Sequence, residues 1–263
     1  HGLNAVEIGE ALRLPPSLEA EWYTRSYYGT LNHNAKAVYQ RYLGWFDGNP
    51  ANLHKLPPVE AGKRYVDLAG GADALLARAR TAFEAGEYRW VAELVNHLVF
   101  ADPGNEAARL LQAETLEQLG YQAESGPWRS FYLTGAQELR HLRPPSATPR
   151  QAAGNQLRAL PADTLLDSLS VRLNGDRAGA RDLAMTLEFG DSGERFAVRV
   201  ENAVLHHAAG DGTGPVVNLT CPALVALVLG ETTPEAALES GAVRAEGDPE
   251  PFITLLGWLD RFD

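Results

Sequence analysis

The chain has 263 residues, 45% hydrophobic and 22% charged, an ordinary globular composition with room for one large or two ordinary domains. Its net charge of −11, from 23 basic against 34 acidic side chains, argues against a nucleic-acid partner, whose affinity comes mostly from neutralised phosphates. No apolar run approaches the ~18–20 residues of a membrane span; the single cysteine, Cys221, excludes an intrachain disulfide and any multi-cysteine zinc or iron–sulfur site.

The sequence starts at His1 with neither an initiator methionine nor a signal pattern, which reads as an internal start. Residues 4–14 predict a short amphipathic helix stopped by Pro15 and Pro16, and Ser17 is expected to cap a second short segment through Trp22. From Arg25 to Pro58 the chain is rich in aromatics (Tyr27, Tyr28, Tyr39, Tyr42, Trp45, Phe46) broken by glycines. This predicts a helix near 33–43 set in long irregular arms of the kind that wrap a partner. Three helical windows follow, 73–85, 88–101 and 105–119, with a fourth at 126–140. Ala79 and Ala113 are 34 residues apart, as are Gly86 and Gly120, and Pro103 follows the second window. That period is the pattern of tetratricopeptide-like (TPR-like) hairpins, in which a small residue allows close approach and a glycine ends the first helix.

Residues 141–158, with three prolines and no periodicity, predict a linker, taken as 144–158 between a helical domain at 1–143 and an α+β domain at 159–263. Charge density changes at the same point: 14 basic against 17 acidic side chains before residue 144 (net −3), 9 against 17 after it (net −8). Beyond it come a helix at 161–173 and alternating strands on Leu183, Met185, Leu187 and Phe189, then Phe196, Val198 and Val200, then Ala203 and Leu205, then Val216, Val217 and Leu219. Helices at 222–229, 234–240 and 249–261 and a short strand near Val243 complete an expected antiparallel sheet with helices on one face.

No self-sufficient catalytic centre emerges. The seven histidines show no metal-ligand spacing, and His206 and His207, adjacent on a strand, point to opposite faces. Gly210-Asp211-Gly212-Thr213-Gly214 does not open a helix after a strand, so it reads as a hairpin turn and not a phosphate loop. Cys221 reads as a small buried residue. One segment stands apart, Tyr27-Tyr28-Gly29-Thr30-Leu31-Asn32-His33-Asn34, where phenol, imidazole and carboxamide donors converge. Such donors suit an oxyanion; alternatively His33 buttresses the helix that follows.

This segment, continuing from Lys36 through Leu53 and on through Leu56-Pro57-Pro58-Val59-Glu60, resembles the zinc-dependent alkyl sulfatases of the metallo-β-lactamase superfamily. Gly230–Gly241 and Glu246-Gly247-Asp248-Pro249 are similar to the sterol-carrier-protein-2-like (SCP2-like) domain that follows in that family. The resemblance implies an all-α TPR-like dimerisation domain, with residues 1–24 as the tail of a preceding catalytic domain, followed by an α+β SCP2-like domain. It implies hydrolysis of dodecyl sulfate-like surfactants, a homodimer, and two zinc ions bound by an N-terminal metallo-β-lactamase-like domain that this sequence does not contain, with no metal ligand here. His33, Asn34 and Tyr28 then contact the substrate sulfate, and Asn32 stands where the family carries serine. The alkyl tail is expected against Leu183, Met185, Leu187, Phe196, Val225 and Leu229, although core packing accounts for the same residues. A non-enzymatic lipid binder or a plain dimerisation module are the competing readings.

Overall fold

The computed structural model describes residues 2–142 and 150–260, and the chain divides into two compact units, residues 1–146 and 147–263.

Among its described residues the first unit holds helices and no strand. α1 (Ala5–Ala11) opens on a capping box between Asn4 and Glu7 and packs on α3 (Leu31–Leu43). Residues expected as the tail of a preceding domain are thus built into this unit. α2 (Pro16–Glu19) starts from Pro15 and not from Ser17, which lies inside the helix, and a 3-10 turn follows at Trp22–Thr24. α3 is capped by Thr30 and ends at Gly44; a second 3-10 turn spans Pro50–Asn52. α4 (Pro58–Leu68) occupies a stretch for which the sequence predicted no element; Pro58 opens it, where a missing N–H costs nothing.

α5 (Ala72–Glu84), α6 (Tyr88–Ala101), α7 (Glu106–Gln122) and α8 (Gly126–His141) follow the expected windows. Leu75, Ala79, Val91, Val95, Leu98, Ala108 and Leu111 form a common core of α5, α6 and α7, each Leu or Val contributing about 1.5–3 kcal/mol by burial. Gly86 ends α5 as the repeat pattern predicts, but Gly120 does not end α7. It lies buried within that helix against Leu133 of α8, so its use is close approach.

In the second unit, α9 (Arg150–Arg158) replaces the second half of the expected linker; residues 143–149 lie outside the described residues. Its sequence has no strong breaker beyond Gly154, and Leu157 packs on the core, so burial overrides weak periodicity. α10 (Ala162–Arg172) and α11 (Gly175–Ala178) lead into β1 (Leu183–Phe189), β2 (Glu194–Glu201), β3 (Val204–Ala209) and β4 (Val216–Leu219). α12 (Cys221–Val228), α13 (Pro234–Glu239), β5 (Arg244–Glu246) and α14 (Glu250–Trp258) follow, the last ending short of the expected residue 261.

The sheet order is β3-β2-β1-β4-β5, with β4 parallel to β1, so the sheet is mixed and not antiparallel throughout. β2 and β3 join through Asn202 and Ala203, both at positive φ, so Ala203 belongs to the turn and not to the strand. The 210–215 segment is not a hairpin: it connects β3 to β4, which do not pair, and crosses the outer sheet face to do so. Gly212 donates its N–H to the Thr186 hydroxyl there (3.0 Å), and Gly214 (φ +93°) lies against the Ala184 carbonyl. The inner face carries Met185, Leu187, Phe189, Val198 and Val217 against Leu165, Leu169, Leu224, Phe252 and Leu255 from the helices.

Candidate functional site

The approach to α3 is held by the N-terminal end of α8. Arg25 pairs with Glu124 at 2.5 Å, the Gly126 N–H donates to the Tyr27 carbonyl at 2.8 Å, and the Ser125 hydroxyl donates to the Tyr28 carbonyl. Ser125 is 1% exposed and also accepts from the Trp128 N–H as the cap of α8, so one hydroxyl starts the helix and anchors the arm. Thr30 does the equivalent for α3, accepting from the His33 N–H at 2.8 Å.

The His33 ring is exposed, and its Nδ1 accepts from the Trp128 indole Nε1–H at 3.1 Å. Indole can only donate, so the proton of the neutral imidazole lies on Nε2. Among the described residues Nε2 has no hydrogen-bond partner. Asn34, exposed one position on, lies with its carboxamide against Gly29, where an added Cβ would stand 3.2 Å from Oδ1. Tyr28 is 81% exposed and, among the described residues, its hydroxyl is bonded to neither His33 nor Asn34. The three predicted sulfate contacts therefore share one exposed segment, with only His33 oriented by a side-chain partner.

Asn32 points the other way, toward α1. Its Nδ2 donates to Glu10 at 3.1 Å, and its buried Oδ1 has no partner among the described residues. Arg89 holds the same carboxylate with two bonds of 3.2 Å, which keeps Glu10 below the usual carboxylate range. Glu10, Thr30, Asn32, Lys36, Arg89 and Trp128 line a cleft of about 340 Å³ beside the arm. Neither Ser125 nor Trp128 was legible as a site residue: they lie more than 90 positions from the residues they hold, and no spacing rule links them.

In the second unit the expected alkyl-chain residues do come together, but as solid core. Met185, Leu187, Val225 and Phe196 are buried, and Leu183 and Leu229 pack against them. An alkyl chain entering there would displace core side chains. A separate cleft of about 340 Å³ is lined by Leu227, Val228, Ile253, Leu256 and Leu259, together with Arg172 and Asp260.

His207 Nε2 bonds to Asp167 at 2.8 Å from the inner face, and His206 lies on the outer one, as their adjacency requires. Burial pushes the Cys221 thiol up, against use as a nucleophile. Among the described residues no group of three or more His, Cys, Asp or Glu side chains could hold a metal ion. The resemblance assigns the zinc pair to a preceding domain and expects no ligand among these residues. No described helix is long and apolar enough to cross a membrane.

The family model for alkyl sulfatase dimerisation matches residues 4–142, and that for the alkyl sulfatase C-terminal region matches residues 150–263. A linear primary-alkylsulfatase of a Pseudomonas species is 44% identical over 265 residues, covering 100% of this chain and 39% of that protein. The alkyl/aryl-sulfatase BDS1 of Saccharomyces cerevisiae is 47% identical over 266 residues, covering 100% and 41%. The solved structure of the stereoselective inverting sec-alkylsulfatase Pisa1 from Pseudomonas matches with a TM-score of 0.91 at 44% identity, covering 100% of this chain and 42% of that one. The chain spans about two fifths of the length of these relatives.

Proposed function

Because the chain belongs to the alkyl sulfatase family through both its dimerisation and its C-terminal regions, we propose that it serves as the helical and C-terminal part of an enzyme hydrolysing alkyl sulfate esters. One ester and one water give one alcohol and one hydrogen sulfate. The observation that carries this reading at the level of residues is His33, whose Nε2–H, with Nδ1 bonded to Trp128, lies at an exposed face without a partner among the described residues. In this reading that N–H donates to a sulfate oxygen, a charge-assisted contact, with Asn34 and Tyr28 beside it. Two zinc ions, held by the N-terminal part of the enzyme, would activate water.

The helical unit is read as a TPR-like homodimerisation domain. Its 34-residue spacing of the buried Ala79 and Ala113 supports this, as do Tyr42, Leu43, Trp45 and Leu68, all apolar and exposed. The second unit is read as SCP2-like. Its apolar cleft at Leu227, Ile253 and Leu256, rather than the packed core, is the place for an alkyl tail.

The test joins this chain to the N-terminal part of the Pseudomonas primary-alkylsulfatase that is 44% identical to it. Zinc-dependent sulfate release from dodecyl sulfate, above that of the N-terminal part alone, is expected. Release no greater than from that part alone contradicts the reading. The cleft favours a second reading, a lipid binder without turnover, which predicts saturable uptake of an alkyl fluorophore by the chain, lost in Ile253→Asp, with no sulfate release from the joined protein.

A further inference from the structure

Trp128 and His33 meet across 95 positions of sequence, with ring centroids 6.2 Å apart in an edge-on arrangement. Their backbones are fixed separately. Thr30 caps α3 at His33, Ser125 caps α8 at Trp128, and the Ser125–Tyr28 and Gly126–Tyr27 bonds tie the two helix starts together. The indole N–H is thus delivered by a rigid frame to one chosen nitrogen of the imidazole. A ring with its proton on Nδ1 would set two N–H groups against each other, so the frame selects the tautomer as well as the orientation. An imidazole showing its Nε2 lone pair outward would repel a sulfate oxygen; one showing Nε2–H attracts it without reorganisation.

We propose that Trp128 is a positioning residue that holds His33 as its Nε2–H tautomer, so that His33 meets a sulfate group as a hydrogen-bond donor and not as a general base. The role toward sulfate rests on the functional reading above; the tautomer does not.

The experiment uses the whole 263-residue protein labelled with ¹⁵N-histidine and read by long-range ¹H–¹⁵N correlation at about pH 8.5, well above the ordinary imidazole value of ~6.5. His33→Gln identifies the His33 signals by their loss. The wild type is expected to show one pyridine-like Nδ1 and one pyrrole-like Nε2. In Trp128→Phe the two signals should draw together as the tautomers mix, with the thermal melt retained. If Trp128→Phe does not fold, benzothienylalanine at position 128, which replaces the N–H by sulfur in a ring of the same shape, is read in the same way. A wild-type ring protonated on Nδ1, or an unchanged Nε2–H tautomer once the donor is removed, overturns the proposal. The readout needs no turnover, so failure of the joined enzyme to release sulfate would sink the functional reading without altering this result.

Discussion

Gly62 on α4 lies so close to His97 on α6 that a Cβ at position 62 would stand 2.5 Å from the His97 carbonyl oxygen. One turn on, Tyr65 stacks on the His97 ring with centroids 4.2 Å apart. The two helices are therefore in backbone contact at one point, and neither can move away without losing the stack.

Gly62→Ala is expected to lower the stability of the helical unit by about 1–3 kcal/mol or more, because the obstruction is backbone and not a flexible side-chain end. The thermal melt followed by circular dichroism measures this. A melt unchanged by the substitution would mean that the α4–α6 contact is looser than described.

Arg140 grips Glu117 through two bonds, of 2.5 and 2.7 Å, joining α8 to α7. The Arg140 hydrogen bonds hold the Glu117 carboxyl below its usual range. A carboxyl depressed on folding stabilises the native state at pH values above its unfolded pKa of ~4.3, and that contribution disappears as pH falls through the folded value. Glu117→Gln should therefore cost about 0.5–1 kcal/mol near pH 7, and the difference from wild type should vanish in acid. Denaturant titrations at the two pH values test it; a difference that persists or grows in acid contradicts it.

Thr186 is 1% exposed and is the acceptor for the Gly212 N–H where the 210–215 segment crosses the sheet. Thr186→Val keeps the shape and removes the acceptor, at a cost of about 1–3 kcal/mol. Gly214→Ala should cost more, since it adds a strained positive φ to a collision with the Ala184 carbonyl. Equal and negligible effects in denaturant melts would show that this crossing does not organise the sheet.

Tyr42 is 81% exposed and Trp45 68%, and burial in a homodimer would account for both. The protein is expected to run as a dimer by size exclusion with light scattering, and Tyr42→Asp with Trp45→Asp as a monomer with unchanged circular dichroism. A monomeric wild type, or a dimer indifferent to both changes, would place the interface elsewhere or remove it.

Much of the fold was legible because its signals are local. The windows of α5 to α8 and the alternation of β1 and β2 follow from periodicity that burial then uses directly. α4 was not legible: the aromatic-rich stretch read as irregular arms ran to Pro58, whereas Pro58 opens a helix. The 210–214 glycines read as a hairpin because local sequence cannot show that β4 pairs with β1 instead of β3. Met185 and Leu187 illustrate a different limit: inward alternation is identical for a core and for a pocket wall, and only packing separates them. Family likeness singled out the segment around His33 as a candidate, but not Trp128 and Ser125, since the bonds that orient that segment close loops of more than 90 residues.

The proposed role of His33 in sulfate-ester hydrolysis is tested most directly by kcat/KM for dodecyl sulfate in the joined enzyme with and without His33→Ala. Loss of one charge-assisted donor, about 1.5–3 kcal/mol, predicts a fall of roughly ten- to a hundredfold with zinc content and dimer state unchanged. A His33→Ala enzyme as active as the wild type would contradict the account.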